Sequence, residues 1–169
     1  STSDPEAAPN ALKGLPWAAD SGYPSGEADV ASIFGGYDHV CNQLAGTIIG
    51  GGHNYIPYHA VGHGTIIGGS NNRNYGGRGT IAGGSNNTIG GVASCTVGGT
   101  DHTIIASYGG ALGGYNNAVA DVTAEFSGFL AGRDHSISAI GAACLGGRGN
   151  TIALGHDYAG IFGQDGISE

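Results

Sequence analysis

The chain is poor in positive charge, lacks methionine, and has no paired cysteines and no long apolar run. Five Lys+Arg stand against 13 Asp+Glu, a formal net charge of −8. A chain of that sign repels phosphate backbones, which argues against nucleic acid as a partner. No apolar stretch approaches the ~20 residues a membrane-spanning helix needs, so no membrane insertion is expected. The three cysteines, Cys41, Cys95 and Cys144, are far apart and form no CxxC or CxxH pair. They read as small buried hydrophobes rather than as a zinc or redox site. A P-loop, a nucleophile elbow and a dinucleotide-binding glycine motif are all missing. No basic and then apolar leader opens the chain, and Ser1-Thr2-Ser3-Asp4 reads as a chain that has lost its initiator Met or as a fragment.

What the chain has is glycine, 36 of 169 residues, roughly three times the usual share. Gly does not recur at every third residue, so this is not collagen. Charged residues are only 11% and hydrophobic ones 40%, which argues against disorder.

Two zones differ in composition. Residues 1–29 hold Pro5, Pro9, Pro16 and Pro24, four of the five prolines, and five acids against Lys13. They read as an extended, Pro-rich N-terminal arm whose sticky points, Leu12, Leu15 and Trp17, are candidates for docking on a larger assembly, because fixed proline angles lower the cost of ordering. Residues 30–169 form a glycine-rich repeat region.

Glycine pairs begin at Gly35, Gly50, Gly68, Gly83, Gly98, Gly113 and Gly146, with Ala131-Gly132 as a variant and Phe162-Gly163 as a degraded last copy. From Gly35 to Gly146 the steps are 15, 18, 15, 15, 15, 18 and 15, a period of 15 with two three-residue insertions. Two mostly apolar residues precede each pair. Asn, Asp or His follows it, as at Asn71-Asn72, Asn86-Asn87 and Asn116-Asn117, and an aliphatic residue then returns. Gly and Asn tolerate left-handed backbone, so the G-G-x-N-N block is a turn between two short strands. No segment keeps helical periodicity. Fifteen residues are too few for a propeller blade and match one coil of a β-solenoid, stacked at ~4.8 Å on its neighbours. The expected fold is all-β, a β-roll of ~15-residue coils with the extended arm in front. Ile48, Ile66, Ile81, Val97 and Leu112 are expected to line the roll interior or a trimer core. Coils this thin bury little on their own, and homotrimerisation would let each bury a second face.

The units Gly64–Asn72 and Gly79–Ile89, G-T-I-I-G-G-S-N-N and G-T-I-A-G-G-S-N-N-T-I, resemble the head repeats of trimeric autotransporter adhesins (YadA-like heads). They also resemble the related G-G-x-N-N repeats of bacteriophage tail fibres and spikes. The likeness spans about residues 30–168. It implies a homotrimeric left-handed β-roll that serves as an extracellular fibre, adhesin or virion appendage. The missing leader, coiled-coil stalk and membrane anchor, with the Pro-rich arm, favour a virion part held through that arm by other tail or capsid proteins. The alternatives are the head of a bacterial adhesin on the cell surface and, third, a glycan depolymerase.

The candidate chemistry is sparse. His39, His53, His102 and His135 occupy turn columns where Asn usually stands. A threefold axis could gather one His from each chain into a metal site, but the residue type also suits a turn, so no metal or cofactor is expected. The first insertion carries Tyr55, Tyr58, His59 and His63, amphipathic rings of the kind that contact a host-surface glycan or protein. Asp121 and Glu125, in the second insertion, are a close acid pair, and carboxylate catalysis needs two acids about 5–10 Å apart. A nine-residue calcium repeat and a six-residue acyltransferase repeat are both excluded by the period of 15. An ice-binding solenoid is weakly suggested by Thr47, Thr65 and Thr80. No catalytic residue is assigned, and a non-enzymatic role is expected.

Overall fold

A computed structural model describes residues 31–42, 45–57, 62–163 and 165–168. The arm, with Leu12, Leu15 and Trp17, lies outside the described residues, as do Tyr58 and His59. The described residues are all-β. Nine three-residue strands, from Ser32–Phe34 to Gly160–Phe162, form a broad sheet, and eight two-residue strands, from Val40–Cys41 to Thr151–Ile152, form a narrow one. The chain alternates between the sheets, so each strand pairs in parallel with the equivalent strand one coil away. This is a β-solenoid.

The register follows the repeat. Ser32 pairs with Thr47, and Thr80 with Cys95. Neither insertion disturbs it: Ile48 still pairs with Ile66 and Ala111 with Phe129. The extra residues fall between a narrow strand and the next broad one, at a single corner of the coil, where they lengthen the link without shifting the ladder.

The glycine pair makes the first corner. Both of its positions are left-handed, as at Gly68 (φ 67°) and Gly69 (φ 75°). The two are not equivalent. A side chain on the first glycine would meet nothing within 4 Å, whereas one on the second would collide with the carbonyl of the coil above, Gly84 in the case of Gly69. The variant coil obeys this rule. Ala131 replaces the first glycine, at φ 59°, and Gly132 keeps the second.

The next two columns divide a role that the sequence assigns to one turn. Asp38, His53, Asn71, Asn86, Asp101, Asn116 and Asp134 all have positive φ and do form the turn. The following residues do not. His39, Asn54, Asn72, Asn87, His102, Asn117, His135 and Asn150 are buried inside the coil. There they form a hydrogen-bonded ladder. The backbone N–H of Asn72 donates to Asn54 Oδ1 (3.1 Å), that of Asn87 to Asn72 Oδ1 (3.0 Å) and that of His102 to Asn87 Oδ1 (3.0 Å). The amide nitrogens donate to glycine carbonyls, Asn72 Nδ2 to Gly84 (3.2 Å) and Asn117 Nδ2 to Gly132 (3.2 Å). Asn72, Asn87 and Asn117, expected as turn residues, are therefore ladder residues. So are His39, His102 and His135, and only His53 of the four column histidines sits in the left-handed turn.

The core is one side chain deep. The middle residue of each broad strand faces in, and so does the second residue of each narrow strand. Ile48, Ile66, Ile81, Ile56 and Ile89 form one apolar cluster, and Ile104, Val119, Phe129, Ile137, Cys144 and Ile152 belong to a second. Asn74 replaces the aliphatic residue of one coil. It is satisfied there, donating to the carbonyls of Gly79 (2.7 Å) and Thr65 (3.3 Å) and accepting from the Gly76 N–H (3.1 Å). Ser94 and Ser127 bridge coils at the remaining corner. Each donates to a carbonyl, of Ala106 (2.8 Å) and Ala139 (2.7 Å), and accepts from a backbone N–H one coil on. Of the cysteines, Cys41 and Cys144 are buried and Cys95 is half-buried; burial pushes the Cys144 thiol up to about 11.

Candidate interaction surface

Alternation along a strand sends the residue after each buried one outward. On the broad sheet this residue is almost always large and apolar: Phe34, Ile49, Ile67, Val97, Leu112, Leu130 and Phe162 are exposed, and Ala82 and Leu145 are half-buried. Val97 and Leu112 lie here, 47% and 46% exposed. The five residues expected to pack together thus split between two columns, Ile48, Ile66 and Ile81 inside and Val97 and Leu112 outside. In the coils of the latter two, the inward residues are Thr96 and Ala111.

The parallel register stacks the outer residues into one straight line over nine strands, about 38 Å at ~4.8 Å per coil. The second outward column of the same face runs Ser32, Thr47, Thr65, Thr80, Cys95, Gly110, Gly128, Ala143, Gly160. Neither column contains a charged residue, although the chain carries a formal −8. Seven large side chains, each about half exposed in one line, amount to several hundred Å² of apolar surface, at the upper end of the ~300–600 Å² patch that monomeric proteins leave open.

A different surface runs along the corner that precedes the broad strands. Tyr108, Phe126 and Tyr158 stand there with left-handed backbone (φ 58°, 61° and 63°), in a column that elsewhere holds Ala45, Ala93 and Gly141. The Tyr108 and Phe126 rings stack at 4.9 Å and 5°. The Tyr158 ring covers Gly141, filling the place a side chain there would take. The lengthened links open onto the same corner. In the second, Asp121 Oδ1 accepts from the Thr123 N–H (2.8 Å) and hydroxyl (2.7 Å), and these bonds hold its carboxyl below the usual range. Asp121 is thus committed to its own loop, and Glu125 beside it is exposed. Of the residues expected in the first insertion, Tyr55 lies instead on the narrow strand Tyr55–Ile56, where it is half-buried and packs edge-on against Tyr75 (6.0 Å), and His63 is exposed with its backbone N–H bonded to the Gly77 carbonyl (3.0 Å).

Among the described residues no three His, Cys, Asp or Glu side chains come together as a metal site, and no helix is long and apolar enough to cross a membrane. His53 instead faces Asp38 at 3.6 Å and packs edge-on against Tyr37.

Comparison of the chain with known protein families, with characterised proteins and with solved structures finds no match.

Proposed function

We propose that this chain is a structural subunit of a homotrimeric appendage, of the kind that forms a virion tail fibre or spike, with the outer face of its broad sheet turned toward the other two copies. The observation that carries this reading is the uncharged apolar line from Phe34 to Phe162. A line that straight, with one step per coil, matches another line of equal pitch. Identical copies in register supply such a line, and three copies about an axis parallel to the solenoid close the set without leaving an open face. The resemblance of the G-G-x-N-N units to fibre and adhesin repeats supports the same assembly and the extracellular setting. On this reading the Pro-rich arm attaches the trimer to other virion proteins, and the corner bearing the long links and exposed rings faces outward, where host-surface glycans or proteins would be met.

The test is the native mass of the full chain and of an Ile67→Asp, Leu112→Asp variant. The reading requires a trimer that the double variant breaks into folded monomers. A wild-type chain that stays folded and monomeric at high concentration overturns it. Release of reducing ends from a host polysaccharide would instead point to a depolymerase.

A further inference from the structure

The buried ladder contains five Asn and three His coils among the described residues, and the two kinds differ in one respect beyond shape. Each ladder histidine follows an aspartate: Asp38-His39, Asp101-His102, Asp134-His135. Every aspartate in that left-handed column precedes a histidine, and no ladder asparagine has an acid before it. In each His coil, Nδ1 accepts the backbone N–H of the next ladder residue: Asn54 N–H to His39 (3.2 Å), Asn117 N–H to His102 (3.3 Å) and Asn150 N–H to His135 (3.2 Å). The ring is therefore neutral, with its proton on Nε2. That Nε2 is buried and makes no hydrogen bond of good geometry.

We propose that these three coils make the roll acid-labile: a proton added at Nδ1 turns the acceptor of an inter-coil hydrogen bond into a second donor, and the stack opens at that coil. An asparagine coil has no such response, because its Oδ1 accepts at any pH in this range. The groups facing each ring set its sensitivity. Burial opposes charging in all three, so each imidazole is held below its ordinary 6.5. For His39, the nearby His53 opposes it further, while Asp38 and the Gly50 carbonyl favour it. For His102, the carbonyl of Gly113 and Asp101 favour it, while the Asn117 N–H on Nδ1 opposes it. For His135, the carbonyl of Gly146, Asp134 and Asp165 favour it, and Arg133 draws on Asp134 at 3.3 Å. The preceding aspartates thus partly offset burial, which is the larger effect in all three. The sign follows. A base whose folded value is depressed leaves the unfolded chain holding more protons, so stability is complete above about 6.5 and falls as the pH drops below it. The device works within one chain and does not depend on the trimer.

The wild-type chain supplies its own control. Amide exchange is followed by NMR from pH 7.5 to 5.0, above the range in which aspartates titrate, and corrected for intrinsic rates. Protection of the Asn54, Asn117 and Asn150 N–H groups should be level above about pH 6.5 and fall below it, by up to about tenfold per pH unit in excess of the intrinsic change. The Asn72, Asn87, His102 and His135 N–H groups, which donate to asparagine, should stay protected. A second measurement is the melting temperature of the triple variant His39→Asn, His102→Asn, His135→Asn, which should be flat over this range while that of the wild type declines. Equal loss of protection in both sets, or no loss in either, overturns the proposal. So does a triple variant whose pH profile matches that of the wild type.

Discussion

Ile66 and Ile67 are consecutive and identical in chemistry, yet Ile66 is fully buried and Ile67 is 46% exposed. The inner column is what one chain needs to fold. It fills a core one side chain deep and accepts Thr96, Ala111, Phe129 or Cys144 as well as isoleucine, because the facing narrow strand and the adjacent coils share the space. The outer column is the more uniformly apolar of the two, although nothing among the described residues covers it. Uniform hydrophobicity on an exposed line has no use in folding one coil on the next. The proposed trimer would give that line a second surface to pack against.

The two columns should therefore fail differently. Ile66→Asp places an unpaired charge in the core and should cost several kcal/mol; thermal unfolding should show the chain largely unfolded at ambient temperature. Gly69→Ala meets both a left-handed backbone and the Gly84 carbonyl, and should cost about 3 kcal/mol. Gly68→Ala meets only the backbone strain, since the space beside it is open, and should cost about 1 kcal/mol; urea midpoints of the two variants would separate these contributions. Asn87→Ala strips the buried His102 N–H of its acceptor, a loss of about 1–3 kcal/mol, and amide exchange should localise it to that coil. Ile67→Asp should change the stability of the isolated coil stack by only about 0.5 kcal/mol while weakening the assembly severely. If Ile67→Asp instead unfolds the chain as Ile66→Asp does, the distinction between the columns is lost.

Much of this was legible in the sequence. The 15-residue period gave the coil and the glycine pairs gave the corner. Two matters were not legible. Hydrophobicity does not say which of two adjacent apolar residues faces in. At Thr96-Val97 and Ala111-Leu112 the larger residue looks like core, but the inward position is set by distance from the glycine pair, so the smaller residue is buried. The second was the role of Asn72 and its equivalents. Amide and imidazole side chains suit a left-handed turn and a buried ladder equally by type, and only the φ angles and the inter-coil bonds separate the two. The Asp-His pairing of three coils was a visible sign that this column was more than a turn.

The proposed trimer requires the apolar outer line to be an interface between copies. Light scattering of the full-length chain across a range of concentrations tests this most directly. Three times the chain mass, falling to a single mass in the Ile67→Asp, Leu112→Asp variant with its circular dichroism unchanged, is the predicted result. A wild-type chain that stays at a single mass and fully folded throughout the range would contradict it.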